Sequence, residues 1–257
     1  LVRNSAGELV QASWPEALAA AAAGLKGKRA AVLTGGRVTT EDAYGYSKFA
    51  RLALGTNDID YRARVTSDEE RDFLAAHVAG SSTTYRDIDT ADHVALIAFE
   101  PEEESPIVFL RLNKNFKKRG LKVSAVATKG SIAMDKLKAD FIKVAPGAES
   151  SAVAGLALTA KSVILVGERA SESAGALSAV AALAAQSGAK FAWIPRRAGE
   201  RSALEAGALG NVLPGGRPVV DAAARVDIAA AWGVSSLPAE PGRTTSEIIS
   251  TIEVLMW

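Results

Sequence analysis

Short apolar runs alternate with longer amphipathic segments along the whole chain. Apolar runs of four to seven residues bounded by glycine or polar residues are typical of buried strands, whereas apolar positions three and four residues apart are typical of helices. The Ile and Val of residues 162–167 illustrate the first pattern, and Tyr46, Phe49 and Ala53 illustrate the second. The predicted strands are residues 29–34, 94–99, 121–127, 141–144, 162–167, 190–194, 228–232 and 254–257.

Capping residues mark where the helices begin and end. Ser67 precedes an acidic turn with Glu70 three residues later, the pattern of a capping box. Pro106 suits the first turn of a helix, and Gly120 suits the position just after the last turn. The predicted helices are residues 13–24, 39–55, 68–79, 105–120, 150–159 and 173–187.

Strands that alternate with helices predict parallel βαβ units with right-handed crossovers. We therefore expect a Rossmann-like α/β fold with doubly wound parallel sheets. A chain of 257 residues can hold two such lobes. We place them at residues 1–150 and 151–257, with a boundary near residues 145–151.

An acidic segment, residues 100–104, stands where an α/β sheet usually binds its ligand. It follows the predicted strand 94–99 and precedes the helix that begins at Ser105 and Pro106. Ligand phosphates commonly bind beyond the carboxyl ends of strands, at helix N-termini. Four of the five residues, from Glu100 to Glu104, are glutamates, so we expect a tight acidic loop that repels phosphate. The same carboxylates also suit a helix N-terminus, so capping is a compatible explanation.

Composition excludes several kinds of chemistry. The 30 basic and 29 acidic residues give a net charge of +1, which does not favour nucleic-acid binding. The chain has no cysteine, so thiolate catalysis, disulfides and cysteine-ligated clusters are excluded within it. No uninterrupted apolar run reaches the roughly 18 residues of a membrane span, and nothing at the start resembles a signal peptide.

Glycine-bearing turns follow three strands, at Gly35-Gly36, at Gly167 and at Pro214-Gly215-Gly216. None matches the G-x-G-x-x-G fingerprint or a P-loop, so tight turns are the preferred interpretation. The compact basic cluster at Arg196, Arg197 and Arg201 follows a strand. It is interpreted as a solvated or subunit-contacting loop, with an anion site as the alternative.

Nucleophilic catalysis has little support in the sequence. No serine sits in a G-x-S-x-G elbow. The two histidines are His77, on an amphipathic helix, and His93, at the start of a strand, and packing or surface roles are expected for both. With two histidines and no cysteine, a histidine metal site is not expected.

Several segments resemble a known family. They are SWPEAL at residue 13, the strand and helix of residues 31–53 followed by LGTNDIDYRAR, and ADHVALIAFEPEEESPIVFLRL followed by LKVSAVA. In order and character these segments resemble the molybdopterin oxidoreductase superfamily. Residues 167–218, with PRRAGER and VLPGGRP, resemble the G-subunit family of bacterial proton-pumping NADH:quinone oxidoreductases, the respiratory complex I enzymes.

The resemblance implies a retained fold with a degenerate cofactor site. Catalytic members carry a Cys, selenocysteine or Ser ligand to molybdenum after the first strand, and residues 34–40 offer no convincing equivalent. The nucleotide loop after the second strand keeps Pro101 but loses its Gly, Ser and Asn, and Thr128-Lys129 replaces the contact after the third. We therefore expect no cofactor and no metal. The degenerate cleft is predicted at Gly35, Gly36, Glu100, Pro101, Thr128 and Lys129.

The resemblance also implies a role. It predicts a non-catalytic structural and docking portion of the iron–sulfur G subunit, whose iron–sulfur clusters belong to a cysteine-rich N-terminal region absent here. Expected partners are other subunits of the hydrophilic arm, on the cytoplasmic side of the membrane and without direct insertion. A chain that begins with Leu1 and ends at Trp257 is expected to be a piece of a longer protein, by design or by proteolysis.

Two alternatives stay open at this point. One is a catalytic pterin- or nucleotide-dependent enzyme whose phosphates are held by Arg37, Arg196 and Arg197. The other is a free-standing module that binds an anionic metabolite.

Overall fold

The computed structural model describes residues 1–62, 64 and 67–256, which form two parallel sheets, two short antiparallel pairs and the helices that cover them. The strands are β1 (Val2–Arg3), β2 (Leu9–Val10), β3 (Ala30–Leu33), β4 (Ile59–Asp60), β5 (His93–Ile97), β6 (Lys122–Ala127), β7 (Asp140–Lys143), β8 (Ser162–Gly167), β9 (Lys190–Ile194), β10 (Val212–Leu213), β11 (Arg217–Pro218) and β12 (Val254–Met256). The α-helices are α1 (Trp14–Leu25), α2 (Thr40–Leu52), α3 (Asp68–Phe73), α4 (Tyr85–Thr90), α5 (Pro101–Glu104), α6 (Pro106–Arg119), α7 (Ile132–Lys136), α8 (Glu149–Ala154), α9 (Ala176–Ser187), α10 (Glu200–Glu205), α11 (Ala222–Trp232) and α12 (Thr245–Thr251).

The larger sheet has five parallel strands in the order β7-β6-β5-β8-β9. In the centre, Val94 of β5 lies level with Val123 of β6 and Val163 of β8. The strand order reverses direction between β5 and β8, as in doubly wound folds. The predicted α/β class with parallel strands is therefore confirmed.

Helices cover both faces of this sheet. Successive side chains of a strand point to opposite faces. Leu96 of β5 accordingly packs in one core cluster with Leu112 of α6, while Ile97 packs in the other with Leu177 of α9. Each of these side chains is at most 1% exposed, and burial of one such side chain contributes roughly 1.5–3 kcal/mol. Burial on both faces explains why the strands read as continuous apolar runs.

The smaller sheet has three parallel strands in the order β12-β3-β4. Its central strand comes from the start of the chain, and β12 comes from the far end. The predicted boundary near residues 145–151 lies between β7 and β8, yet strands from both sides of it pair within the five-stranded sheet. A division into residues 1–150 and 151–257 would therefore split that sheet.

Two predicted elements are wrong. The predicted strand at residues 228–232 is instead the C-terminal half of α11, whose N-cap Asp221 accepts a hydrogen bond from the backbone amide of Ala223 at 2.9 Å. The alanine-rich segment favours a helix once that cap is recognised. The predicted loop at residues 100–104 contains the single turn α5, which begins at Pro101 and ends at Glu104.

Helix ends differ in detail from the prediction. Ser67 caps α3 by accepting from the amide of Glu70 at 3.2 Å, but the Glu70 carboxylate pairs with arginines instead of closing a capping box. The helix then changes at Phe73 into a π-helical turn, residues 74–78. The predicted helices 150–159 and 173–187 are shorter in the structure, as α8 and α9. Gly120 ends α6 with a φ of 69°, as predicted.

Two further predictions concern membranes and the chain end. Of the helices in the described residues, none is both long enough and apolar enough to cross a bilayer. β12 confirms the predicted C-terminal strand at residues 254–256. Trp257, the last residue of that prediction, and Ala63 of the LGTNDIDYRAR segment lie outside the described residues.

Candidate functional site

A cleft of about 1030 Å³ lies at the carboxyl edge of the five-stranded sheet. It is built from the loops that follow β5, β6, β7 and β8, because the carboxyl ends of parallel strands meet at one edge. The lining residues are Ala98, Glu100, Glu102, Glu103, Ala127, Thr128, Lys129, Gly130, Ser131, Ile132, Met134, Asp135, Lys136, Pro146, Gly147, Glu149, Arg169, Glu172 and Ser173.

The residues that the sequence predicts to form one cleft lie in two separate parts of the structure. Glu100, Thr128 and Lys129 line this cleft, and the buried Pro101 begins the adjoining helix α5. Gly35 and Gly36 follow β3 in the other sheet, where Gly36 contacts α10. The sequence therefore identifies the strand ends correctly but does not show that they belong to separate sheets.

The cleft is acidic. Its lining holds six carboxylates and three cations, and the carboxylates are Glu100, Glu102, Glu103, Asp135, Glu149 and Glu172. Several of these charges already have partners. Lys136 Nζ lies 2.5 Å from Glu102 Oε1, and the Ser131 hydroxyl donates to Glu100. Among the cations, Lys129 makes no ion pair within the part of the chain that the structure describes.

Glu104 lies behind the cleft wall. Its side chain is 4% exposed, and Oε1 pairs with Arg169 Nη2 at 2.6 Å, while Oε2 has no partner in the described residues. Burial raises the pKa of the Glu104 carboxyl, and the Arg169 cation only partly opposes this shift. Arg169 is therefore already engaged by a carboxylate and is not a free phosphate ligand.

The second place, at Gly36, is filled by protein. A Cβ on Gly36 would lie 2.6 Å from Cγ of Glu200 and 2.8 Å from Cδ of Arg197. The amide of Gly199 also donates to the carbonyl of Gly36 at 3.0 Å. The start of α10 and the residues before it thus pack directly onto the turn after β3, the region where catalytic relatives are expected to hold their metal ligand.

Arg197 joins two buried carboxylates at this place. Its Nη1 lies 3.1 Å from Glu168 Oε1 and 2.9 Å from Glu200 Oε1, and the two glutamate side chains are 5% and 1% exposed. The pKa of Glu200 is raised, first by burial and second by the neighbouring Glu168 carboxylate. Arg197 is therefore committed to an internal ion cluster.

The ion cluster continues to the three-stranded sheet. Arg64 lies 3.4 Å from Glu168 and 2.7 Å from Glu70, which Arg62 also contacts at 3.3 Å. Arg62 in turn pairs with Asp60 of β4 at 2.7 Å. These contacts connect the end of β8 to the end of β4, so one chain of charges spans both sheets.

Tyr61 lies beside this cluster. It is fully buried, and its hydroxyl has no hydrogen-bond partner in the described residues. Burial, followed by the Asp60 carboxylate, raises the pKa of Tyr61 well above its usual value. The phenol is therefore neutral and contributes packing.

The other candidate residues identified from the sequence either contact other side chains of the protein or lie exposed at the surface. Arg201 pairs with Glu205 at 2.6 Å. The His77 ring packs near Phe73, with ring centroids 5.7 Å apart. His93 Nε2 lies 2.8 Å from the Ser124 hydroxyl, and burial lowers its pKa. Arg37 and Arg196 are exposed, whereas Arg197 is engaged, so the three arginines do not form one free anion site.

The residues present do not fit a pterin dinucleotide or its metal. Such a ligand brings phosphates into the cleft, where carboxylates outnumber cations, and like charges about 4 Å apart repel by roughly 4 kcal/mol at an effective dielectric of 20. The turn at Gly36 is filled by Arg197 and Glu200. No group of three potential metal ligands occurs among residues 1–62, 64 and 67–256.

The sequence pattern does not identify several of the cleft residues, including three with charged or polar side chains. Glu149 lies beyond β7, and Arg169 and Ser173 lie beyond β8, so only the strand order brings them to the same edge as Glu100. The one sequence feature that could have pointed to these residues is that each of them follows the end of a strand. The buried glutamates at residues 168 and 200 are also missed, because sequence pattern does not show which charged residues are buried.

Comparisons with known proteins agree with this architecture. The family model for molybdopterin oxidoreductase matches residues 1–253. The G subunit of NADH-quinone oxidoreductase from Streptomyces coelicolor is 49% identical over 283 aligned positions, covering 97% of this chain and 34% of the relative. The corresponding G subunit from Mycobacterium tuberculosis is 50% identical over 256 positions, covering 95% and 32%.

A more distant relative is named for a different activity. The alpha subunit of F420-dependent formate dehydrogenase 1 of Methanococcus maripaludis is 32% identical over 131 positions, covering 49% of this chain and 19% of the relative. The chain spans about a third of the length of the NADH-quinone oxidoreductase relatives. With nearly all of its length matched by the family model, the chain belongs to the molybdopterin oxidoreductase family.

Proposed function

We propose that this chain is a non-catalytic structural and docking portion of the G subunit in an NADH-quinone oxidoreductase. It keeps the molybdopterin oxidoreductase fold and performs no chemistry of its own. Electrons pass from NADH to quinone through centres elsewhere in the complex. We place the iron–sulfur clusters of the full-length subunit outside these 257 residues, which contain no cysteine to ligate them.

The observation that carries this proposal is the filled turn at Gly36. A metal ligand after β3 needs open space above the turn, but Glu200 and Arg197 side chains occupy it at contact distance. These side chains are held by ion pairs of 2.9–3.1 Å. Opening the site would break a buried pair, which costs about 3–5 kcal/mol.

A docking role is supported by helix α1. None of its 12 residues is buried, although most are apolar. Trp14 is 81% exposed and Leu18 is 63% exposed. Contiguous exposed apolar surface is typical of interaction sites. We propose other subunits of the hydrophilic arm as the partners, with the complex attached to the membrane on its cytoplasmic side.

Metal and pterin content provide the direct test. The purified chain, and an NADH-quinone oxidoreductase complex containing it, should hold no stoichiometric molybdenum or tungsten by elemental analysis. Oxidation should release no fluorescent pterin. A protein whose molybdenum and pterin content is independently measured serves as the positive control. Stoichiometric metal or pterin in the chain would overturn the proposal.

Nucleotide binding is tested by thermal shift. A ligand bound only by the native state raises stability by about 2.7 kcal/mol at a hundredfold excess over its Kd. We expect no saturable shift with guanine or adenine dinucleotides. A saturable shift that Arg196→Gln removes would support the catalytic alternative.

Docking is tested on α1 separately. Leu18→Glu should abolish co-purification with the complex while leaving the fold intact, because Leu18 is largely exposed. Val226→Glu on α11, at 67% exposure, is the matched control and should co-purify. Equal co-purification of both variants would refute a role for α1.

A further inference from the structure

The acidic cleft contains a buried carboxylate that lacks a counter-ion. Glu149 is 7% exposed and begins α8. Its Oε2 accepts the amide hydrogen of Gly147 at 2.8 Å, and it makes no ion pair within the described residues. A buried carboxylate is costly unless a cation or several hydrogen bonds compensate it.

A second polar group that lines the cleft has no hydrogen-bond partner in the described residues. Ser173 lines the cleft, is 3% exposed, and its Oγ has no hydrogen-bond partner in the described residues. The loop that carries it packs on the first turn of α8, since a Cβ on Gly175 would lie 3.6 Å from Cβ of Ser150. Glu149 and Ser173 both line the cleft from these adjoining segments, so they lie at the same end of it, here called the inner end.

The net negative charge of the residues that line the cleft favours a positively charged ligand. Six carboxylates face three cations, an excess of three negative charges. Two of the cations, Lys136 and Arg169, are already paired with Glu102 and Glu104. Phosphate ligands are disfavoured by these charges, and no group of three potential metal ligands occurs among the described residues. The class of ligand that fits these charges is therefore an organic cation.

The apolar part of the lining defines the rest of the ligand. Ala98, Ala127, Ile132, Met134 and Pro146 also line the cleft. A volume of about 1030 Å³ is at the upper end of ordinary small-molecule sites and admits an extended aliphatic chain. We propose that the cleft binds an aliphatic polycation, with a terminal ammonium group at Glu149 and Ser173.

Such an ammonium group is present both in free polyamines and in the lysine side chains of a basic peptide, so the experiment uses both. Isothermal titration of the full chain with spermidine and with a capped tetralysine peptide should show saturable one-to-one binding for at least one probe. Spermidine binding alone identifies a free polyamine, and stronger peptide binding identifies a basic segment of a polypeptide. Magnesium chloride at equal ionic strength should give no saturable heat.

Two variants test the inner end. Glu149→Gln keeps an acceptor for the Gly147 amide, and Ser173→Ala removes a hydroxyl that has no partner in the described residues, so both should fold. Hydrogen bonds to charged groups contribute about 1.5–3 kcal/mol, so Glu149→Gln should weaken binding at least roughly tenfold. Ser173→Ala removes a hydrogen bond to the same ammonium group and should likewise weaken binding at least roughly tenfold. Glu41→Gln, an exposed acid on α2, is the control and should bind like the parent chain.

Three results would overturn the proposal. The first is the absence of saturable binding by either probe. The second is binding that Glu149→Gln and Ser173→Ala leave unchanged. The third is an equal loss in Glu41→Gln, which would indicate diffuse charge attraction. The proposed docking role does not depend on this site, because α1 and the cleft are tested by different variants.

Discussion

Replacing Arg197 should destabilise the chain strongly and in a pH-dependent way. Arg197 Nη1 is the nitrogen shared by Glu168 and Glu200, whose side chains are 5% and 1% exposed. Arg197→Met keeps much of the aliphatic stem but removes the cation, leaving two buried carboxylates opposite each other. Removing one partner of a buried ion pair costs about 3–5 kcal/mol. We expect a loss of that size in the free energy of unfolding at pH 7, measured by urea denaturation.

The pH dependence follows from the raised pKa of Glu200. A carboxyl whose folded pKa exceeds its unfolded value binds protons better in the folded state, so stability falls as pH rises through that interval. The interval begins near the ordinary value of 4.5 and extends to the higher folded value. Arg197 opposes the shift, so its removal should raise the pKa further. The stability deficit of Arg197→Met should therefore shrink as pH is lowered from 7 towards 5.

Two comparisons make this prediction refutable. Arg217→Met removes an exposed partner of Asp227, with side-chain exposures of 37% and 67%, and should cost under about 1 kcal/mol. Adding Glu200→Gln to Arg197→Met should recover part of the loss, because one of the two facing charges is then removed. Equal losses for the two arginine variants, or no recovery in the double variant, would contradict the ion-cluster account.

Two further predictions concern a close contact and a surface carboxylate. Gly36→Ala should lower the free energy of unfolding by about 1–3 kcal/mol, because the new Cβ would lie 2.6 Å from Cγ of Glu200. Gly45→Ala, in the middle of α2, should raise it by about 0.5–1 kcal/mol, because no atom lies within 4 Å of the new Cβ. Equal effects of the two substitutions in denaturation would count against the packing at Gly36. Hydrogen bonds from Lys190 and then Thr84 lower the pKa of Asp87 to about 2, so its stabilising contribution is present above 3.8 and lost as pH falls through 2. An NMR titration of the Asp87 carboxyl should show this midpoint, and Lys190→Met should raise it; an unchanged midpoint would refute the pairing.

The strands are predictable because burial on both faces leaves a continuous apolar signal. β8 and β9 match the predicted residues 162–167 and 190–194 at both ends. The alanine-rich run at 228–232 gives no such signal, since a short apolar run cannot by itself distinguish a strand from a buried helix. Strand order is not predictable from the sequence pattern, because β8 pairs with β5, which is far from it along the chain. The paired residues His93 and Ser162, for example, are 69 positions apart in the sequence.

The site is predictable only at its strand ends. Glu100, Thr128 and Lys129 follow consecutive strands, so the carboxyl-edge rule brings them together. The sequence offers Arg197 as an anion ligand, whereas the structure engages it with carboxylates from distant segments. Charge alone does not reveal its partner, because local sequence does not encode which acid will be buried beside it.

The position of β3 between β4 and β12 has a consequence for the order of folding during synthesis. All strands of the five-stranded sheet lie within residues 93–194, so that sheet can assemble once this segment has left the ribosome. Ala30 of β3 pairs with Val254, a separation of 224 residues, so the three-stranded sheet closes only after residue 254 has been synthesised. Until then β3 keeps an open edge, which can pair with other chains. Stalling or truncation before β12 is therefore expected to favour aggregation through β3.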